Sequence, residues 1–358
     1  MFLSLMSIKN IFSFAASIIK LFIVFFLLSA NSKAEESNIK QYSEDEGVLS
    51  IMYHRFDESK YPSTNIQMEV FLEQIRLIKD LNYEFIHPDE FQKDFDVPKK
   101  RKKILLTIDD AFQSFYDVAW PYLKENKIPF ILFVSTEPIG NKGYMTWEQV
   151  KEVERKNFTT IGHHSHSHGY LIESSNQDFI KDIEKANLIF KEKIGYLPKL
   201  FSYPFGEYSE FMRNYVSNNF TYAFGQHSGV IDLNKEKFQL PRFPINENYG
   251  KIKRFRSIIK TYPLEYKSLT PLKKKLNEQN NPPIFSVKFF DNQKNIENIS
   301  CYSNEGNKWE KADTKFANNT LSINFREAFL PRRGRINCSL NDDSKWRWFG
   351  TQFIITKN

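Results

Sequence analysis

The sequence predicts an α/β domain with parallel strand pairing, in an open sheet or a barrel, followed by a small all-β module. Two changes of pattern predict it. Between Gly47 and about Tyr262, short apolar runs alternate with amphipathic stretches; from Ile284 onward only short alternating segments remain, with no clear helix. The composition, 41% hydrophobic and 26% charged over 358 residues, is globular. At about 150 residues per domain the length suggests two domains.

The elements follow in order. VLSIMYH (48–54) reads as a buried strand. Phe71, Ile75, Ile78 and Leu81 share a helical face, and a short strand follows near Tyr83–Ile86. KKILLTIDD (102–110) is the strongest strand signal, and a helix covers about 114–126. FILFVST (130–136) is a second buried strand. Thr146 and Gln149 form a capping box that opens a helix to about Lys156. FTTIGHH (158–164) is a strand, and a helix runs from Asn176 to Ile194 with Gly195 as its stop. LFSYPFG, a helix near 209–219 and YAFGQHSG complete the series. Residues 263–283, with Pro263, Pro271, Pro282, Pro283 and Lys273–Lys275, read as a linker. FSVKFF, NISCYS, TLSINF, RINCSL and WFGTQFIIT then supply the strands of a sandwich-like module over 284–358.

The N-terminus reads as an export signal. The run LFIVFFLLSA (21–30) follows Lys9 and Lys20, and Ser32-Lys33-Ala34 offers small residues for cleavage. An uncleaved anchor over 11–30 is the alternative, interrupted by Lys20. Either way the chain is expected outside the cytoplasm, in the periplasm or beyond the cell. The formal net charge of +7 divides unevenly: +3 over 1–34, −7 over 35–250 and +11 over 251–358. Export and this layout remove a nucleic-acid reading. They leave peripheral attachment of the basic module to an anionic envelope or membrane. Two cysteines exclude a disulfide-rich scaffold and a four-cysteine zinc site.

Three polar clusters stand where predicted strands end, the place where such folds carry chemistry. Asp109-Asp110 ends one strand. Four of the seven histidines lie within 163–168. Ser202-Tyr203-Pro204-Phe205-Gly206 ends a third strand. Adjacent carboxylates after an apolar run are costly unless their charge is used, although helix capping is an ordinary use. His164 and His168 are four apart and face the same way in a helical turn. With a carboxylate they suit Zn2+ or a similar divalent cation, an exposed His-rich loop being the alternative. One Asp and two His would hold the ion, and the second Asp could deprotonate a water. That is apparatus for hydrolysing an amide or ester.

Thr107-Ile108-Asp109-Asp110-Ala111, then His164-Ser165-x-x-His168, then Tyr203-Pro204-Phe205-Gly206 resembles the polysaccharide deacetylase family, the NodB-homology domain of carbohydrate esterase family 4. The likeness covers about 48–262. Met52-Tyr53-His54 and YPFGEY are similar to the branch of exopolysaccharide (poly-N-acetylglucosamine) deacetylases. The resemblance implies a distorted (β/α) barrel within a domain spanning 35–262. It implies that Asp109 is the general base and that Asp110, His164 and His168 bind a divalent metal, Zn2+ or else Co2+ or Ni2+. It implies that Tyr203, Pro204 and Phe205 line the acetyl pocket of an acetylated polysaccharide site.

The sequence departs from the family at three points. Ala111 replaces the usual Gly. Ser202 stands where many members have an Arg that orients the base, a charge that Arg242, itself placed among the substrate contacts, could supply. No late Leu-x-His motif provides the catalytic acid. His227 is the preferred substitute, and His54, which also ends a strand, is placed among substrate contacts. His87 reads as structural. Tyr203 and Phe205 are the aromatics expected to meet sugar.

In the C-terminal module Cys301 and Cys338 are expected to form a disulfide, with Trp309 between them as in immunoglobulin-like sandwiches. Trp346 and Trp348 with Arg332, Arg333, Arg335 and Arg347 form either a glycan-binding face or a core tryptophan beside a solvated basic surface. The functions weighed are N-deacetylation of an exported N-acetylhexosamine polysaccharide, O-deacetylation, and a deacetylase-like binder without turnover. A glycosyltransferase gives no role to the His pair. Oligomeric state is not readable.

Overall fold

The computed structural model describes residues 47–96, 102–233, 235–291, 293–342 and 345–356. Residues 1–34, expected to be an export signal, lie outside them. Among the described residues no helix is long and apolar enough to cross a membrane.

Seven parallel strands form the N-terminal sheet: Val48–Tyr53 (β1), Lys103–Asp109 (β2), Phe130–Val134 (β3), Thr159–His163 (β4), Leu200–Ser202 (β5), Tyr222–Phe224 (β6) and Phe243–Pro244 (β7). Their order across the sheet is β7-β1-β2-β3-β4-β5-β6, with the short strand Glu84–Phe85 beside the start of β2. Leu240 exchanges backbone hydrogen bonds with Ala223 and Gly225, and Phe243 pairs with Ile51. Residues 240–244 thus draw the two sheet edges together into a distorted barrel. The central strands read as unbroken apolar runs because both of their faces are buried.

Helices cover this sheet. Met68–Asp80 (α1) turns Phe71, Ile75, Leu77 and Ile78 inward. Pro88–Asp96 (α2) follows the short strand. Trp120–Glu125 (α3) is entered through one π-helical turn, Phe115–Ala119. Trp147–Glu154 (α4) has both capping-box bonds between Thr146 and Gln149. Asn176–Ile194 (α5) ends at Gly195 in a left-handed conformation, φ 85°. Glu210–Asn219 (α6) precedes β6, and Ile252–Ile258 (α7) packs against α1.

The C-terminal region has two sheets. One contains Tyr262–Pro263 (β8), Lys275–Leu276 (β10), Ser300–Ser303 (β12), Glu310–Lys311 (β13), Arg332–Asp342 (β16) and Lys345–Ile355 (β17). The other contains Ser268–Thr270 (β9), Phe285–Lys288 (β11), Asp313–Ala317 (β14) and Thr320–Asn324 (β15). They enclose a second apolar core that includes Phe285, Val287, Ile336 and Phe353.

Two expectations are corrected here. Residues 263–283 are not a plain linker: β9 and β10 pair with β11 and β17, and Leu264, Leu269 and Leu276 are buried in the second core. The disulfide Cys301–Cys338 is present, but it joins directly opposed residues on neighbouring strands of one sheet. Trp309 is 45% exposed, so the immunoglobulin-like Cys–Trp–Cys core is absent.

The β-module packs closely on the barrel. A Cβ at Gly350 would lie 2.1 Å from the Ser228 carbonyl oxygen, so only glycine fits there. Trp348 packs edge-on against Phe243 of β7. Trp346 is exposed, while Arg347 pairs with Asp342 and Arg332 with Glu207 and Glu173. Much of the supposed basic glycan face is therefore spent on internal ion pairs.

Candidate active site and metal centre

The three clusters converge at the carboxyl ends of β2, β4 and β5. Asp109 is the last residue of β2, and Asp110 begins the turn that follows. Asp110 and Ala111 have φ 75° and 53°, so this turn needs left-handed backbone at both positions. A glycine would take the second more easily, and Ala111 holds it at a cost of about 1 kcal/mol. Ser165 (φ 69°), His168 (φ 51°) and Phe205 (φ 58°) are also left-handed. Five such residues around one site mark a backbone held by its surroundings.

Asp110, His164 and His168 form a compact donor set, each offering an atom within 4.8 Å of the others. Asp110 Oδ1 lies 3.4 Å from His164 Nε2 and 3.1 Å from His168 Nε2. The other ring nitrogen of His164, Nδ1, lies 2.7 Å from the Ser202 carbonyl. It must donate there, which leaves the Nε2 lone pair facing Asp110. Asp110 Oδ1 and His164 Nε2 are buried without a hydrogen-bond partner. Orphaned acceptors on a carboxylate and an imidazole suit a divalent cation. Burial raises the Asp110 carboxyl, but the charge of the nearby His168, with the adjoining His164 ring, holds it well below the usual range.

The loop between the two imidazoles is held from α5. Asp182 accepts the His166 N–H at 2.8 Å and the Ser167 N–H at 3.0 Å. Ser165 Oγ accepts the His168 N–H at 3.1 Å. Asp182 carried no signal in the sequence beyond its place on a helix.

Asp109 is gripped from behind. Arg242 donates to its two oxygens at 2.7 and 2.8 Å, and further to Thr107 Oγ1, Ser202 Oγ and the Gly225 carbonyl. Both side chains are fully buried. Burial raises the Asp109 carboxyl; Arg242 and then His164 outweigh it and hold the group below its ordinary value. Arg242 is therefore no substrate contact. It brings its charge onto Asp109, and Ser202 bonds to both members of the pair.

The two candidate acids separate. His54 follows β1, and the groups acting on it are Asp110, Asp109, Arg242 and His164. Burial lowers its pKa and the two carboxylates oppose that. Its Nδ1 is buried without a partner. His227 is driven down to about 3 by burial, then by Lys274, Arg242 and Arg335. It lines a cavity of about 570 Å3 between the barrel and the β-module, together with Lys274, Tyr266 and Trp348. No candidate metal-binding residue lines that cavity.

The Tyr203-Pro204-Phe205 expectation divides as well. Tyr203 is fully buried against Phe201 and Tyr208 and meets no sugar through its ring. Its N–H donates to the Phe224 carbonyl at 3.1 Å. Pro204 is buried. Phe205 is half-buried, edge-on to His168 at 4.7 Å and stacked on Tyr170 at 4.3 Å. On another side Arg55 lies over Tyr61 and Phe112, and Phe112 packs against Tyr144. Asp110 acts electrostatically on Tyr144. Tyr61 and Tyr170 are about two-fifths exposed, at 40% and 44%. Sequence reading named neither as a candidate contact.

Residues 96–223 match the family model described as polysaccharide deacetylase. A Staphylococcus aureus protein named poly-beta-1,6-N-acetyl-D-glucosamine N-deacetylase is 22% identical over 250 residues, covering 61% of this chain and 85% of that protein. In fold, the chain is similar to IcaB from Ammonifex degensii, with a TM-score of 0.55 and 22% identity over 61% of this chain and 99% of that one. It is also similar to the Streptococcus pyogenes deacetylase PplD in complex with acetate, with a TM-score of 0.54 and 21% identity over 60% and 98%. The family match ends ahead of Arg242 and the whole β-module.

Proposed function

We propose that this chain, which matches the polysaccharide deacetylase family over residues 96–223, removes N-acetyl groups from an exported N-acetylhexosamine polysaccharide with the help of a divalent metal. The observation that carries the reading is the juxtaposition of Asp110, His164 and His168 with a separate carboxylate, Asp109, that Arg242 holds. A bound cation, Zn2+ or else Co2+ or Ni2+, would polarise the acetyl carbonyl and lower the pKa of a water toward about 7. Asp109, which Arg242 holds ionised, would take a proton from the attacking water. His54 sits on the same face and is the better placed imidazole to protonate the leaving amine. His227 looks onto the cavity at the β-module instead. Phe205 and Tyr170 form one wall for the sugar, and Tyr61, Phe112 and Tyr144 another.

A binder without turnover is the alternative; the Arg242 fork on Asp109 and the placing of His54 near both carboxylates support turnover instead. The Staphylococcus aureus relative's name supports an N-acetylglucosamine polymer as substrate. The Cys301–Cys338 disulfide supports an oxidising compartment, periplasmic or extracellular. The test is acetate release from a panel of N- and O-acetylated glycans, after chelation and after adding back Zn2+, Co2+ or Ni2+. Release from N-acetylated polymer that chelation abolishes and Asp109→Asn removes is the expected result. Release from O-acetylated glycans alone, or none at all, would refute it.

A further inference from the structure

Four polar side chains of the β-module reach the two segments beside the site, one of them Lys275, whose Nζ donates to the Ile172 carbonyl at 3.1 Å. Arg332, at the start of β16, donates to Glu207 Oε2 at 2.8 Å and to Glu173 Oε1 at 2.6 Å, and its guanidinium lies 3.5 Å over the Tyr170 ring. Arg333 donates to the Phe205 carbonyl at 3.3 Å, and Gln352 of β17 donates to the Gly206 carbonyl at 3.2 Å. These contacts bind two segments that are far apart in sequence. One is Tyr170–Glu173, directly after His168. The other is Phe205–Glu207, whose Phe205 ring packs on His168. Glu207 is only 2% exposed and pairs with Arg332 at 2.8 Å and with Arg333 at 3.7 Å, a buried acid that both arginines of the module face. The clamped loop needs help: Phe205 is left-handed without being glycine, and a Cβ at Gly206 would lie 2.5 Å from the Gln226 backbone nitrogen.

We propose that Arg332, with Arg333 and Gln352, positions the active site: the β-module clamps the Phe205 loop and the segment after His168 against each other. The inference rests on the deacetylase reading for its kinetic test. The module is then part of the catalytic unit and not an appendage for holding polymer. Arg332 carries out this role through Glu207, Tyr170 and Phe205 and does not touch the reacting atoms.

The experiment uses the full chain with Arg332→Gln, Arg332→Lys and, as a matched control, Arg326→Gln. Arg326 pairs with Glu305, a buried acid of the same module that contacts neither segment. Kinetics on an N-acetylglucosamine tetramer, Co2+ titration and melting are measured together. Arg332→Gln should lower kcat and Co2+ affinity by about 10-fold each with little change in KM. Arg332→Lys should recover part of both, and Arg326→Gln should lower the melting temperature while leaving both within about 2-fold. An unchanged kcat and Co2+ affinity in Arg332→Gln, or equal losses in Arg326→Gln, would overturn the proposal. If the unaltered protein releases no acetate, the deacetylase reading fails by itself. Co2+ affinity and amide exchange at Gly206 and Glu207 then decide: faster exchange in Arg332→Gln upholds the clamp, and unchanged exchange with unchanged affinity overturns it.

Discussion

Asp109 and Arg242 form a fully buried bidentate pair, closed at 2.7 and 2.8 Å across 133 residues of sequence. A carboxylate with no water around it stays ionised only because the fork matches both of its oxygens. Arg242→Ala strands that charge. The protein should lose about 3–5 kcal/mol of stability, or Asp109 should take up a proton. Arg242→Lys keeps a charge but not the fork, and should still lose turnover by at least about 10-fold. Melting curves and acetate release check both. An Arg242→Ala protein with unaltered turnover would show that the pair does not serve the base.

Metal binding and proton abstraction should separate by residue. His164→Ala or Asp110→Asn removes a member of the donor set, and bound metal per chain, read by elemental analysis after gel filtration, should drop sharply. Asp109→Asn should keep its metal and lose turnover by about 100-fold or more. Loss of metal in Asp109→Asn would instead make Asp109 a ligand.

His54 and His227 offer a similar contrast. His54→Gln removes the imidazole coupled to both carboxylates and should lower kcat by about 100- to 10,000-fold. His227→Gln changes a neutral ring in the cavity beside Lys274 and should leave kcat nearly as it was. The reverse ranking would restore His227 as the acid.

What the sequence made legible follows strand ends. Asp109, Asp110, His164 and His168 stand directly after apolar runs, so their convergence could be read before any coordinates. His54 and His227 also stand at or just after strand ends, but which ring faces the carboxylates depends on the path of the chain past the strand. Ring orientation leaves no trace in spacing. Tyr203 had the right residue type, but just past the end of β5 its ring packs into the core against Phe201 and Tyr208. The misread linker has a physical cause as well: β9 and β10 are three and two residues long, too short for periodicity, and β10 finds its partner about 80 residues later in β17. The Arg332–Glu207 contact spans 125 residues and is a property of the assembled sheets alone.

The disulfide should matter for stability more than for chemistry. Cys301 and Cys338 close a segment with a sequence separation of 37 in the module's core. A cross-link of this length constrains the unfolded chain by on the order of 3–4 kcal/mol. Cys301→Ser/Cys338→Ser should therefore melt lower by several degrees, and reductant should move the unaltered protein toward it. A melting temperature insensitive to reductant would show that the bond contributes nothing to the folded state.

Lys274 predicts the pH dependence of stability. It is buried, and burial, partly opposed by Glu236, lowers its pKa to about 7. Its ammonium donates to Thr351 Oγ1 at 2.9 Å. In the unfolded chain the group titrates near about 10.4. Between those values the unfolded state holds a proton that the folded state lacks, so this group's contribution to stability rises with pH from about 7 to about 10. Below about 7 both states are protonated and its penalty is constant and largest. Lys274→Met removes the penalty along with the bond to Thr351. Its stability relative to the unaltered chain should be most favourable near pH 6.5 and decline toward pH 10, measured by urea denaturation at both. An equal difference at the two pH values would mean that Lys274 is solvated enough to keep its ordinary pKa.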